Sequence, residues 1–512
     1  MPCIRHLIIA AAVAAAALPV AAEKLTILHT NDTHSQIFPD DRDGLGGVAR
    51  RKVVVDSVRA ADPHVLLIDA GDAVQGTLFF NLYGGEVEQR IMNALGYDIR
   101  ILGNHEFDNG VDSLAAVLRH ADSEFLATNY DLSASPLADM FSRTDLREID
   151  GHRIGFIALN LRPEGMIAPG NYDGVEYLDA LRAANAAAWW LRHIEGAEAV
   201  IAVTHVGYDP EVPPGDVSLA QNTTDIDVFI GGHSHDLIQP ADSADTPFSS
   251  WVTNAAGRPV LVTQAGKGGK YVGRITLDLD SLPGRPDYGL IRIDSRLDAR
   301  SDGSIEALVA PYSRGVDSLM RHPVARAAVE LPQESDALLN FCTDMILDRG
   351  RQLAPGIDFA ILNKGGIRRG LPKGTVTEGE LITMMPFNNR VQVIDILGSD
   401  LLPAFTQMAR VGGNGVSRGV DIAFEPKTAS HDARILSATI NGEPLDPART
   451  YRVATIDYVA QGGDYMPTMA HHTQVASSPT EVYKDLLAYL RTGAHAGRKI
   501  NPPATARMHS AR

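Results

Sequence analysis

Short apolar runs, each closed by polar residues, recur through the first three hundred positions: "KLTILHT", "HVLLIDAGD", "IRILGNHE", "RIGFIALN", "AVIAVTH" and "DVFIGGHSH". Runs of this length without alternation describe strands covered on both faces, and the Ala-rich stretch Leu178 to His193 supplies a helix between two of them. The pattern predicts an α/β domain over residues 23–300. From Ser301 to His322 the chain turns polar with a helical period, which predicts a linking helix over 301–323. New strands follow from about Val324, in "DFAILN", "RVQVIDILG" and "YRVATIDYV", with a capped helix expected after Ser399-Asp400. These elements predict a second, α+β domain over 324–512. A chain of 512 residues is too long for one core, so length and pattern agree on two domains.

Residues 1–22 stand apart. Arg5 gives a positive start, Leu7 to Leu18 is unbroken apolar, and Val20-Ala21-Ala22 fits a small-residue cleavage site, so the segment predicts a cleaved secretory leader and a periplasmic or secreted protein. The apolar stretch is shorter than the roughly 20 residues a membrane span needs, and no anchor is expected at the polar, basic tail. Cys3 leaves with the leader, so Cys342 has no partner for an intramolecular disulfide. The formal charge is −17, and losing Arg5 makes it −18, which argues against a nucleic-acid polymer or an acidic membrane as partner. An anionic substrate needs local cations to reverse that field. Oligomeric state is not legible.

The closing polar residues carry the chemistry. Asp32 and His34 follow the first run, Asp72 the second, Asn104 and His105 the third, His205 another, and His233 and His235 the last. In open α/β sheets ligands gather outside the carboxyl ends of strands, so five separate stretches would deliver these groups to one crevice. Singly each is an ordinary turn or strand-end residue; jointly they predict a dinuclear metal site. Two divalent ions about 3.5–4 Å apart can generate hydroxide near neutral pH and clamp phosphoryl oxygens through an in-line displacement. The mixed oxygen and imidazole donors suit Mn, Zn, Fe or Co and do not choose among them. His105 would stand beside the reacting group, where an imidazolium stabilises developing negative charge. Asp108 either orients that imidazole or caps a helix beginning near Val111.

"ILHTNDTHS", "DAGDAVQGT", "ALGYDIRILGNHEFDNG", "VTHVG" and "GGHSH" resemble the calcineurin-like metallophosphoesterase domain of the secreted 5'-nucleotidase family, which includes UDP-sugar hydrolases and ecto-5'-nucleotidases. The resemblance runs in order through the mature chain. It implies a four-layer α/β-β/α first domain, a linker helix and a nucleotide-binding second domain. It also implies one metal held by Asp32, His34, Asp72 and His235, and a second held by Asp72, Asn104, His205 and His233, with Asp72 bridging. The His105–Asp108 pair is implied as the transition-state stabiliser.

In the second half, "ILNKGGIRRG" resembles the family's phosphate loop, which implies substrate binding by Asn363 and Arg368. The glycine pair allows a tight turn, and a guanidinium can fork onto phosphate oxygens; without the resemblance, Arg368 reads as a solvated turn residue. "MMPFNNR" and "IDYVAQGGDY" resemble segments whose rings sandwich a nucleobase, which implies Phe387 and Tyr458 as stackers and Asp464 on the ribose hydroxyls. By the sequence alone each ring is a core candidate. One departure stands out: "ELPQESDALLNF" lacks the family's further phosphate-binding arginine, and Arg369, Lys373 or Arg410 are candidates to replace it. "QAGKGGKYVGRITLDLD" lacks the spacing of a nucleotide-binding loop and precedes a strand, so it is read as structural.

The expected activity is hydrolysis of nucleoside 5'-monophosphates, with a hinge near residues 300–325 bringing the two domains together. UDP-sugars, nucleoside di- or triphosphates and 2',3'-cyclic nucleotides remain open as substrates of the same metal pair. So do a sulfur-ester hydrolase sharing the metal domain and a non-catalytic nucleotide-binding protein.

Overall fold

The computed structural model describes residues 23–210, 214–240, 248–428, 430–492 and 497–511. The predicted leader, residues 1–22, lies outside them.

Two sheets dominate the first half. One runs in the order Asp287–Arg292, Tyr271–Asp278, Lys24–Thr30, Val65–Asp69, Ile99–Arg100, Glu124–Leu126, Phe141–Ser142; the other in the order Trp251–Thr253, Pro259–Thr263, Val228–Ile230, Ala199–His205, His152–Asn160, Thr144–Ile149. Alternating side chains explain the layering, because successive residues of a strand point to opposite faces. Leu25 and Ile27 enter the core between the sheets with Phe156, Ala158 and Val203, while Leu28 and Leu67 pack under the helices Val48–Ala61 and Glu86–Leu95. On the far side Ile157, Val200 and Ala202 meet the helix Ala180–His193, whose N-cap Asp179 accepts the Arg182 N–H. Both faces of both sheets are therefore covered, giving the expected α/β-β/α arrangement. The strands Lys24–Thr30, Val65–Asp69 and Ile99–Arg100 are parallel, as are His152–Asn160, Ala199–His205 and Val228–Ile230. Their carboxyl ends reach one shared edge.

The linking helix spans Ser304–Met320 and buries Ile305 and Val309 against the first domain's helices. Beyond it a five-stranded sheet runs Gly415–Val416, Phe359–Leu362, Thr450–Ile456, Arg390–Leu397, Thr473–Glu481, backed by the helix Asp336–Leu353, which Ser335 caps. A four-stranded sheet (Glu443–Pro444, Arg434–Ile440, Val420–Glu425, Met508–Ser510) completes the α+β half. The helix expected after Ser399-Asp400 spans Gly398–Arg410 and has no side-chain cap. It starts one residue before Ser399, with Leu397 at the cap position, and Asp400 in the first turn accepts from His471 Nδ1 at 2.9 Å. Among the described residues no helix is long and apolar enough to cross a membrane.

Candidate active site

The strand ends deliver the predicted donors to one place. Asp32, His34 and His235 offer ligand atoms within 4.8 Å of one another, and so do Asp72, His205 and His233. Asn104 joins the second group, with its Oδ1 3.0 Å from His233 Nδ1. His34 Nε2 and His235 Nε2 approach to 2.9 Å, and Asp32 Oδ1 lies 3.3 Å from the latter. His205 turns Nδ1 to the Ala70 carbonyl at 2.7 Å, which leaves Nε2 facing Asp72 Oδ2 at 3.2 Å.

The residues fit a divalent metal centre on three counts. Asp32 Oδ2 accepts from the His233 N–H and Asn31 Nδ2, yet Oδ1 and His205 Nε2 are buried without a hydrogen bond. Each faces another donor atom instead, Asp32 Oδ1 the His235 Nε2 at 3.3 Å and His205 Nε2 the Asp72 Oδ2 at 3.2 Å, an arrangement a cation resolves. Burial, above all, keeps His34 well below the ordinary histidine range and holds His233 down to about 3, so both present the neutral imidazole that ligates a metal. Burial would raise the Asp72 carboxyl, but His205 and His105 hold it well below the usual range; burial lowers His205, yet Asp72 raises it to about 10, so a metal taken up there would displace a proton from that ring. Finally, five of the seven donors, Asp32, His34, Asp72, His233 and His235, have left-handed backbone with φ between 47° and 78°. Such strain costs about 1–3 kcal/mol per residue and persists where the surroundings impose it.

The surroundings are visible. Asp32 N–H donates to the Gly71 carbonyl and His34 N–H to the Asp72 carbonyl, locking the first two donor loops together. Gly103 must be glycine, because a Cβ there would lie 2.1 Å from Asp72 Oδ1. Glu106, within the singled-out "GNHEFDNG" but given no role by the sequence, accepts the N–H groups of Asp72, Ala73 and Gly103. Its role is backbone clamping, which leaves no spacing signal.

His105 Nδ1 and Asp108 Oδ2 are 3.0 Å apart. Burial opposes the imidazolium, but Asp108 and then Asp72 raise the His105 pKa above the ordinary value. The alternative of Asp108 as a helix cap is removed: the helix Val111–Leu118 begins after Gly110.

The second domain brings its predicted residues to the same crevice. Asn363, Arg368, Phe387, Tyr458 and Asp464 line a cavity of about 380 Å³ together with Asp72, Asn104, His105 and His233. Phe387 stacks on His105 at 5.7 Å and 23°, with the Arg368 guanidinium 5.8 Å from its ring. Asp464 accepts from Asn363 Nδ2 at 2.8 Å and from the Tyr458 hydroxyl at 2.9 Å, which ties loop, ring and carboxylate into one unit. Asn363 Oδ1 is left buried without a partner. Of the proposed replacements for the missing arginine, Arg369 faces Asp41 at 3.3 Å, Arg410 pairs with Asp432, and Lys373 is exposed. None of the three lines this cavity, nor the neighbouring one of about 500 Å³ beyond His34 and His235.

Two family models match the chain: calcineurin-like phosphoesterase over residues 25–237 and the 5'-nucleotidase C-terminal domain over 320–471. An apyrase of Tabanus yao is 30% identical over 491 residues, covering 86% of each chain. Protein UshA of Yersinia enterocolitica is 28% identical over 503 residues, covering 90% of each. Among solved structures, a 5'-nucleotidase precursor from Thermus thermophilus superposes with a TM-score of 0.82 at 29% identity, covering 95% of this chain and 99% of that one.

Proposed function

We propose, since the chain belongs to the calcineurin-like phosphoesterases that carry a 5'-nucleotidase C-terminal domain, that it is an exported phosphohydrolase releasing phosphate from nucleoside 5'-monophosphates. The observation that carries this reading is that four of the metal-donor candidates of one domain, Asp72, Asn104, His233 and His235, and the aromatic and ribose-reading candidates of the other open into the same 380 Å³ cavity. Asp32, His34, Asp72 and His235 would hold one divalent ion, and Asp72, Asn104, His205 and His233 a second. When bound, such a pair supplies Lewis-acid charge and activates water for in-line attack.

This chain's own residues account for the rest. Asp108 takes the Nδ1 side of His105 and favours the protonated ring, so Nε2 is the atom left to donate to the phosphoryl or leaving oxygen. Arg368 offers a planar fork to the phosphate oxygens, with no ion pair of its own among the described residues. Phe387 and Tyr458 supply the faces for a base, and Asp464, already accepting from Asn363 and Tyr458, has the carboxylate for ribose hydroxyls. The exported location rests on the leader-like residues 1–22.

The test is phosphate release from AMP by purified mature protein, stripped with chelator and then resupplied with manganese or cobalt. Release that falls to background and returns with metal supports the reading. Metal-dependent cleavage of an aryl phosphate without release from AMP would overturn the nucleotide assignment. A parallel panel of ADP, ATP and UDP-glucose separates the 5'-monophosphate reading from the polyphosphate chemistry that the similarity to an apyrase makes the second choice.

A further inference from the structure

The cavity beyond His34 and His235 has a cationic wall in a chain of net charge −17. Most of its cations are committed. Arg42 binds Asp40 at 2.7 Å, Lys270 is held by Asp40 at 2.8 Å and Asp43 at 2.6 Å, and the Lys364 ammonium donates to the Val411 carbonyl. Lys267 and Arg368 remain, one from each domain, with no hydrogen bond or ion pair to either charged group among the described residues. Burial first, and then Arg368 and Arg42, lower the proton affinity of Lys267, with Glu334 and Asp32 acting in the opposite sense. Two cations without an ion pair that share a cavity beside metal-donor candidates can together take an anion, even with Glu334 and Asp464 also on its wall.

The backbone of Lys267 is fixed to those donors. Asn31 accepts the Ala265 N–H at 2.8 Å and donates through Nδ2 to the Gly266 carbonyl at 2.7 Å and to Asp32 Oδ2 at 2.6 Å. Gly266 N–H reaches the Asp236 carbonyl at 2.9 Å and Gly268 N–H the Asp32 carbonyl at 2.7 Å. Residues on both sides of Lys267 are thus anchored next to Asp32 and His235. Across the cavity, Gln333 and Glu334 occupy the stretch in which the sequence lacks an arginine.

We propose that Lys267 is a substrate-binding residue whose ammonium, facing Arg368 across the cavity, holds the phosphoryl group presented to the Asp32, His34 and His235 donors. The assignment rests on the hydrolase reading above, and deepens it by supplying the second phosphate-binding cation from the metal domain.

The experiment titrates inorganic orthophosphate into manganese-loaded full-length protein and measures AMP hydrolysis in parallel. Lys267→Ala should weaken orthophosphate binding about tenfold and raise KM for AMP by a similar factor, the scale of one charged hydrogen bond. Lys267→Arg should bind within about threefold of the parent, because charge and reach are kept. Metal content and Tm report folding; if Lys267→Ala alters either, Lys267→Gln is read in its place. Orthophosphate affinity within about twofold of the parent in the charge-removing variant, with Arg368→Ala weakened, would overturn the proposal. Weakened orthophosphate binding in a protein that never releases phosphate from AMP would overturn the nucleotide reading and sustain Lys267.

Discussion

One carboxylate oxygen of Glu106 accepts the backbone N–H of Asp72 at 3.0 Å and that of Gly103 at 2.5 Å, while the other takes the Ala73 N–H at 2.9 Å. The loop bearing Asp72 and the loop bearing Asn104 and His105 are therefore pinned by a residue that offers the metal nothing itself. Replacing Glu106 by Gln turns one of its two acceptor oxygens into an NH₂ donor facing N–H groups. Metal affinity should fall about 10–100-fold, the usual loss when a group orienting a ligand is removed. Metal content after dialysis against graded chelator, compared with the parent, checks this; an unchanged release curve would exclude the role.

The His105–Asp108 pair calls for a pH profile. Asp108 raises the His105 pKa, so the protonated ring persists above the ordinary histidine range and is lost as pH rises through the raised value. Asp108→Asn removes that charge and should move the alkaline limb of kcat to lower pH, with kcat at neutral pH down about 10²-fold in keeping with loss of a general acid. A profile superimposable on the parent's would leave Asp108 a bystander.

Asp464 separates recognition from chemistry. Asp464→Ala removes the acceptor for Asn363 and Tyr458 and should raise KM for AMP about tenfold while leaving an aryl phosphate, which has no ribose, nearly unaffected. Equal losses on both substrates would show damage to the metal centre instead.

Domain approach is testable at the contact where Asn388 Nδ2 donates to Asn109 Oδ1 at 3.0 Å. Cysteines at both positions, joined by a short cleavable linker, should suppress turnover by more than about tenfold if opening precedes product release, and cleavage of the linker should restore it. Full activity while linked would show that no rotation is needed.

Within the strand that leads to Asp32, His29 predicts an acid limit to stability. The ring is fully buried, neither nitrogen has a hydrogen bond, and burial pushes its pKa from 6.5 down to about 3. Below pH 6.5 the unfolded chain takes up a proton that the native state refuses until about pH 3. Stability present above that window is lost through it, by up to about 1.4 kcal/mol per pH unit. His29→Phe should flatten the fall of Tm between about pH 6.5 and 4 relative to the parent, and parallel curves would disprove the effect.

The convergence of the seven donor candidates was legible because each follows a largely apolar run, and buried parallel strands bring such ends to one edge. Asp32 and His235, more than two hundred residues apart, meet for that reason. Glu106 was not legible as a clamp: its partners are main-chain N–H groups, which any sequence possesses. Lys267 was hidden differently, inside a glycine-rich turn whose evident purpose is to start the strand Tyr271–Asp278; its direction appears only once Asn31 has fastened that turn beside Asp32. The capping expected from Ser399 and Asp400 failed because the helix starts at Gly398 with Leu397 at the cap position, which puts both residues inside the first turn. Asp108 kept two readings until Gly110 took the cap position and left it to His105.

The division of labour across the crevice has a consequence for how such a protein can change. Every metal donor candidate lies before residue 236 and every base- or ribose-reading candidate after residue 362, so drift in the later half can retune what is cleaved while the means of cleavage stays untouched. Lys267 and Arg368 face each other from opposite sides of that divide. Any lineage that exchanges one half for another must keep these two positive charges in step, as it must the Phe387–His105 stack and the Asn388–Asn109 contact, which also cross the divide.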